Sequence, residues 1–314
     1  MSSVKLKAIL IKAENYNIAG NLAMVVVVIL WGYSFVSIKI AVSFVPPVTM
    51  ALLRFMIASV ILFILLKKLE PAATLEKRDL LRMGSAGFLG VTLYFFLENT
   101  GIKLSTASNA ALIASVIPIL ATSLDICFYR TKVSATQCLG MVLAIAGTYL
   151  AITANGQVRL DSVHFKGNVL IVCAMVSWVL YTLCNKSFGA KYSGLSVTAW
   201  QHMLGTALLI PLAITEYQQW KLFPVSILLH IIFLAAFCSA GCYLLYIYAL
   251  RKLDVAATTM YLNLVPIVGV ICGHLLLGET VLPVQLLGGA VIIGGILLVN
   301  LINRKDAISA KIIE

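Results

Sequence analysis

GNLAMVVVVILWGYSFVSIKIAV, residues 20–42, and GNVLIVCAMVSWVLYTLCNKSFG, residues 167–189, repeat one pattern. Gly20, Asn21, Trp31 and Lys39 fall on Gly167, Asn168, Trp178 and Lys186 at a constant offset of 147. The correspondence continues downstream. Phe88, Tyr94, Lys103, Leu104 and Ala107 meet Phe237, Tyr243, Lys252, Leu253 and Ala256 at an offset of 149. Pro118, Val133, Gln137, Leu139, Gly140 and Gly147 meet Pro266, Val281, Gln285, Leu287, Gly288 and Gly295 at 148. Chance similarity between apolar segments yields scattered Leu and Val matches, not aligned Trp, Lys, Pro and Gln. The chain is an internal duplication.

Each quoted stretch is an apolar run about as long as the ~20 residues a helix needs to cross a bilayer core. Ten such runs span 22–42, 48–66, 83–102, 107–128, 135–153, 167–187, 196–215, 225–250, 256–277 and 283–302. They are apolar nearly all round, which argues against the ~10-residue alternating strands of a membrane barrel. Helices satisfy their own backbone in lipid. The whole chain is 61% hydrophobic and 11% charged, too apolar for an ordinary soluble domain. The basic residues before Leu22 resemble a signal n-region, but the run continues past Trp31 to Val45 with no small-x-small site, so it reads as the first membrane helix. The expectation is an all-α integral membrane protein of ten transmembrane helices.

The net charge of +11 suggests nucleic acid, but its placement does not. With the N-terminus inside, 17 of the 23 basic residues fall in cytoplasmic segments; Lys103, Arg159, Lys166 and Lys221 are the four outside, and Lys39 and Arg54 lie within runs. This is the positive-inside bias. It predicts cytoplasmic termini, a multi-pass protein of the cell membrane, and no nucleic-acid partner. The seven cysteines form no Cys-x-x-Cys pair; Cys238 and Cys242 share a helix face but no neighbouring histidine completes a zinc set, so the cysteines read as small hydrophobes.

The predicted organisation is a tail (1–19), a first repeat (20–153), an external linker (154–166), a second repeat (167–303) and a C-terminal tail (304–314). Five helices per unit is an odd number, so the second unit enters the membrane from the opposite side. Inverted repeats are common in secondary transporters, which bind substrate near the midplane between halves.

Several stretches carry a family likeness: WGYSFVSIKIAV (31–42), LLRFMIAS (52–59), ENTGIKLSTASNAALIASVIPIL (98–120), QCLGMVLAIAGTYL (137–150), YALRKLDVAATTMYLNLVPIVGVICGHLLLGE (248–279) and QLLGGAVIIGGILLVN (285–300). In this order and duplicated, they resemble the EamA family of the drug/metabolite transporter superfamily over residues 20–303. The resemblance implies a central cavity lined by the first, third, fourth, sixth, eighth and ninth helices. It also implies export of small metabolites such as amino acids; a drug or nucleotide-sugar carrier is the alternative within the superfamily. The Gly278-Glu279 pair fits the family pattern, whereas its partner position in the first half is Arg130-Thr131.

Polar and aromatic residues collect in those same runs. Trp178, Tyr181 and Asn185 lie at i, i+3 and i+7 on one helix face, with Trp31 and Ser34 as repeat partners of the first two. Tyr94 matches Tyr243, and Tyr246 extends the latter's face. Asn109, Tyr261 and Asn263 add hydrogen-bonding groups. An aromatic box with a few amides suits a small, partly apolar molecule; interhelical packing is the plainer reading.

Glu98 is an acid within a membrane run. It binds a substrate amine, carries a coupling proton, or pairs with Arg54; the sequence leaves all three open. Lys39 and Lys186 are expected to snorkel. Pro118 and Pro266 are expected to kink their helices near residues 114 and 262, as hinges or as static bends. Gly269 and Gly273 form a G-x-x-x-G pair for packing within the chain or for a weak homodimer.

No H-E-x-x-H, G-x-S-x-G or P-loop occurs. Neither a catalytic residue nor a cofactor is expected, and transport would run on a gradient. A membrane enzyme or scaffold would need polar residues concentrated at helix centres, and a channel would need rings of like charge.

Overall fold

The computed structural model describes residues 3–117, 119–120, 135–153, 162–186, 188, 191–253, 261–295 and 298. Among these, every regular element is helical. The expectations on Pro118, on Arg130-Thr131, on most of residues 116–128 and 256–260 and on the C-terminal tail lie outside the described residues, as does the Lys186 side chain.

Among the described residues, ten helical segments fall on the ten apolar runs. The first, α1, is Ser3–Phe44, so the segment read as a tail is continuous with the first membrane helix. Then come α2 (Pro47–Leu69), α3 (Lys77–Leu104), α4 (Ala107–Ala114), α5 (Ala135–Thr153), α6 (Val163–Lys186) and α7 (Gly194–Ile214). The helix α8 runs without a break through Val225–Phe233, Leu234–Gly241 and Cys242–Lys252. The last two are α9 (Val265–Leu277) and α10 (Pro283–Gly295). Six of them, α1, α2, α3, α6, α7 and α8, are long and apolar enough to cross a membrane; α9, α10 and the Cys138–Leu150 part of α5 are shorter apolar helices. The outward faces stay apolar, with Val26, Ile29, Met56, Val60, Leu229 and Ile232 exposed, as a lipid solvent permits.

Local chemistry sets the helix ends. Pro47 opens α2, where its missing N–H costs nothing. The Thr106 and Ser193 hydroxyls cap α4 and α7 by accepting from Asn109 N and Ser196 N. Gly278 closes α9 in the left-handed conformation at φ 64°.

Helix α4 ends in a turn at Ser115–Val116, and a turn at Asn263–Leu264 precedes α9. These are repeat partners at offset 148. Each is drawn tight by the same bond, Val116 N to Ile113 O at 3.0 Å and Leu264 N to Tyr261 O at 2.9 Å. Where kinks were expected the helices are interrupted, because a proline two residues on cannot donate back into the preceding turn.

Within the bundle α3 packs on α6, α2 on α7, α1 on α8 and α9, and α4 on α9. Contacts between the repeats cross. A Cβ on Gly147 would lie 2.5 Å from Gly288 O, while one on Gly295 would strike Gly140 O. Gly140 and Gly288 are partners, as are Gly147 and Gly295, so early meets late and late meets early, as across a two-fold axis. Ser59 and Thr206, which stand at the same offset of 147 that pairs the first and sixth runs, meet directly, Oγ to Oγ1 at 3.0 Å. Gly269 packs on Ala111, and Gly273 on Ser108 and Glu279. The G-x-x-x-G pair is therefore taken up inside the chain.

One end of the bundle carries carboxylate caps. Glu279 accepts from Ala107 N (2.8 Å), Ser108 N (2.8 Å) and Ser108 Oγ (2.6 Å) at the start of α4. Glu216 accepts from Thr49 N (2.7 Å) and Thr49 Oγ1 (2.8 Å) at the start of α2. Lys39 reaches across to the end of α3. Its Nζ donates to the carbonyls of Ile102 (2.8 Å), Lys103 (3.1 Å) and Ser105, oxygens that the end of α3 leaves without helical donors.

At the other end, the α2–α3 connection meets the α6–α7 connection. Lys191 pairs with Glu76 at 2.9 Å and with Asp79, and Ser193 donates to Glu70 at 2.5 Å. These partners push Lys191 up to about 12 and hold Glu76 below its ordinary carboxylate value.

Candidate functional site

The site grows from two irregular turns. Helix α3 carries a π-type segment at Phe88–Leu93, and α8 carries one at Leu234–Gly241. A π turn widens the helix and releases carbonyls from the i→i+4 ladder. Both segments give an equivalent carbonyl to the other repeat. Leu89 O accepts from Ser177 Oγ of α6 at 2.8 Å, and its partner Cys238 O accepts from Trp31 Nε1 of α1 at 3.1 Å. Immediately after them stand the paired tyrosines, Tyr94 and Tyr243.

The two tryptophans cross over to these tyrosines. Trp178 lies 5.1 Å from Tyr94, and Trp31 lies 6.0 Å from Tyr243, centroid to centroid. Trp178 also reaches Tyr243 at 6.4 Å, Tyr181 packs on Trp178 at 5.1 Å, and Tyr246 on Trp31 at 5.9 Å. Six of the aromatic residues singled out from the sequence thus form one connected group between the repeats. Gly90 makes room for it, since a Cβ there would run into the Tyr181 ring. Tyr261 and Asn263 lie half-buried at the break before α9, and Tyr261 packs beside Trp31 and Tyr246 against the α1–α8 core.

Glu98 is buried one turn beyond Tyr94 and accepts from its hydroxyl at 2.6 Å. Pairing with Arg54 is not observed: among the described residues no ion pair joins them. The Arg54 guanidinium instead stacks over Phe95 at 4.6 Å and Phe55 at 5.3 Å, and Nε donates to Ser239 Oγ at 2.8 Å. The side chain was turned into the α2–α3–α8 interface by the aromatic faces that shelter it.

Three expected residues are taken up in hydrogen bonds within the protein, Asn185 and Ser34 beside the aromatic group. Asn109 joins α4 to α10 by accepting from Gln285 Nε2 at 2.5 Å, and it donates to Asn168 at 3.4 Å. Asn185 accepts from Gln201 Nε2 at 2.8 Å, while the Gln201 Oε1 accepts from Tyr181 OH at 3.0 Å. Ser34 bonds back to Trp31 O at 2.6 Å. The sequence reading missed Gln201, His202 and Ser239. His202 touches Tyr243 and Phe55, both at 5.2 Å, and its Nδ1 lies 2.9 Å from Thr198 O. The signal available was a histidine inside an otherwise apolar run.

A bundle of membrane-length apolar helices, duplicated and joined through an aromatic group between its halves, is constructed as a membrane transporter. The EamA-like transporter family matches residues 18–153 and again 165–301, and the chain belongs to that family. It is 30% identical over 291 residues, 91% of this chain and 95% of the relative, to a probable terminal-alkyne amino-acid exporter of Streptantibioticus cattleyicolor. An uncharacterized transporter of Archaeoglobus fulgidus is 25% identical, with 88% of this chain and 97% of the relative covered. The uncharacterized transporter YetK of Bacillus subtilis is 27% identical over 88% of this chain and 84% of its own. The fold also matches a crystal structure at a TM-score of 0.66 and 18% identity, over 93% of this chain and 98% of that one.

Proposed function

We propose that this protein is a secondary transporter that exports small metabolites, amino acids or related compounds, from the cell by alternating access. Its termini are cytoplasmic and its two five-helix repeats are inverted in the cell membrane. The observation that carries the reading is the crossed pairing of Trp31 with Tyr243 and Trp178 with Tyr94, which puts an amphipathic aromatic surface where the halves meet. Crossed glycine contacts between α5 and α10 support the inverted relation. The amino-acid exporter among the relatives supports the substrate class. Trp31, Tyr94, Trp178, Tyr181, Tyr243, Tyr246, Tyr261, Asn263 and Glu98 are the proposed contacts. The buried Glu98 makes it the candidate for proton coupling as well as for amine binding.

The test is counterflow into proteoliposomes from a panel of L-amino acids, drugs and nucleotide sugars, with and without a pH gradient. Exchange of amino acids that is lost in both Trp31→Leu and Trp178→Leu supports the proposal. Exchange confined to drugs or nucleotide sugars replaces the substrate class, and no exchange of any solute by folded protein overturns transport.

A further inference from the structure

Arg54 and Glu98 are both buried to 4% exposure, carry opposite charge, and yet are not paired. Glu98 lies within coulombic range of the guanidinium, but its hydrogen bond comes from Tyr94. Arg54 uses Nε on Ser239, while its Nη1 is buried without an acceptor. The His202 ring packs on the same Phe55 at 5.2 Å and leaves Nε2 buried without a partner. With Nδ1 committed to the Thr198 carbonyl as donor, Nε2 is an acceptor. The region therefore offers one unmatched charged donor and one unmatched acceptor, and the Phe95 ring beneath the guanidinium packs at 4.7 Å on the Tyr94 that bonds the Glu98 carboxylate. Glu98 bonds Tyr94, and the His202 ring packs on Tyr243, both members of the aromatic group.

We infer that Arg54 is the carboxylate anchor and Glu98 the ammonium anchor for a zwitterionic α-amino acid whose side chain rests on the Trp31–Tyr243–Trp178 surface. This rests on the exporter reading above and names the chemistry by which that site would select. A zwitterion carries its two charges on groups attached to one carbon, so it completes both anchors at once. Neither protein charge can do this for the other without leaving its present partners. The guanidinium presents a planar N–H fork suited to a carboxylate, and stacking on Phe95 and Phe55 fixes its plane. An unpaired cation in an apolar interior is otherwise unfavourable, and a substrate carboxylate would relieve it.

The experiment measures KM in proteoliposomes for an L-amino acid, its carboxamide and its decarboxylated amine. The full-length wild type is expected to favour the acid over the carboxamide by on the order of 10- to 100-fold, the range of a charge-assisted hydrogen bond lost. In Arg54→Gln that ratio is expected to fall to about one. Glu98→Gln is expected to remove the preference for the acid over its N-acetyl derivative in the same way. An Arg54 that only knits helices together would, when replaced, change uptake of acid and carboxamide alike and leave the ratio standing; that result overturns the inference. A wild type that transports acid and carboxamide equally overturns it without any variant, so a poorly folding Arg54→Gln does not protect it. Amino-acid transport with an unchanged ratio sinks this inference alone. Transport of other solutes with no amino acid moved sinks the exporter reading and the inference together.

Discussion

Replacing Glu279 tests whether a carboxylate from the end of α9 holds the start of α4. Its Oε1 accepts from Ala107 N, while Oε2 accepts from Ser108 N and Ser108 Oγ. Glu279→Gln keeps the size and one oxygen, but its amide nitrogen must then face a backbone donor. One hydrogen bond is lost, at about 1 kcal/mol, and the favourable interaction of a full negative charge with the helix N-terminus is lost as well, at about 0.5 kcal/mol. The expected destabilisation is therefore about 1.5 kcal/mol. Glu279→Ala removes all three acceptances and is expected to cost about 2–3 kcal/mol, the upper range of lost capping interactions plus an orphaned donor. Glu216→Gln is a matched case, because that carboxylate caps α2 through Thr49 in the same manner. Reversible unfolding of the purified protein in mixed micelles, followed by tryptophan fluorescence, gives the free-energy differences. Both Glu279 variants unfolding within about 0.3 kcal/mol of wild type, well under a typical cap, would refute the reasoning.

Gly147→Ala places a methyl 2.5 Å from the Gly288 carbonyl oxygen and is expected to destabilise by about 1–3 kcal/mol, whereas Gly294→Ala, with nothing within 4 Å of the added carbon, should be neutral or slightly stabilising. The same unfolding assay checks both, and equal effects would exclude close α5–α10 packing. Trp31→Leu and Trp178→Leu should each reduce transport while costing only about 0.5–1.5 kcal/mol of aromatic pairing, so thermal stability separates lost contact with substrate from lost fold. Glu98→Gln should fold normally, since no ion pair joins Glu98 to Arg54 among the described residues and the amide oxygen can still accept from Tyr94, and should abolish pH-driven accumulation if Glu98 carries the coupling proton; unchanged accumulation removes that role. The Lys191–Glu76 link should be insensitive to pH between about 5 and 10. Glu76, held below its ordinary 4.5, contributes above that value and loses its contribution as pH falls through the lowered one; Lys191, raised from 10.5 to about 12, contributes below 10.5 and loses its contribution as pH rises through about 12. Thermal unfolding of wild type and Glu76→Gln across pH would read the link; their difference should be flat over this window, and a sharp change near neutral pH would contradict the assignment.

What the sequence made legible was whatever is repeated. Aligned Trp31 and Trp178, Tyr94 and Tyr243, and the four glycines of α5 and α10 were visible as pairs, and each pair turns out to make a crossed contact. Breaks near residues 114 and 262 were legible because proline has a purely local effect on the turn before it. The π segments were not, because a widened turn leaves apolar composition untouched and shows only when its carbonyls find donors on another helix. Lys39 looked like a snorkelling residue from its position near a helix end. Its carbonyl partners sit more than sixty residues away, and no local pattern reports them. For the same reason α7 looked plain, although Gln201 and His202 place it against Tyr181 and Tyr243.

The duplication also shows where to look for discrimination. At the offset of 147 that pairs Ser59 with Thr206, Arg54 corresponds to Gln201, and Phe55 to His202. At the offset of 149 that pairs the tyrosines, Glu98 corresponds to Ile247. Both buried charges therefore stand where the repeats disagree, as does the Phe55 beneath Arg54, while the Trp31–Trp178 and Tyr94–Tyr243 pairs stand where the repeats agree. A symmetric pair of aromatic walls can close on a solute from either half with similar chemistry, which is what two alternating states require of the frame. A solute with one acidic and one basic end has no such symmetry. Recognising its polarity requires charges that only one repeat supplies, and Arg54 and Glu98, both from the first repeat, are placed to provide them. Gln201, where a second cation would sit, is instead tied to Tyr181 and Asn185 by neutral hydrogen bonds, which keeps the counterpart position free of charge.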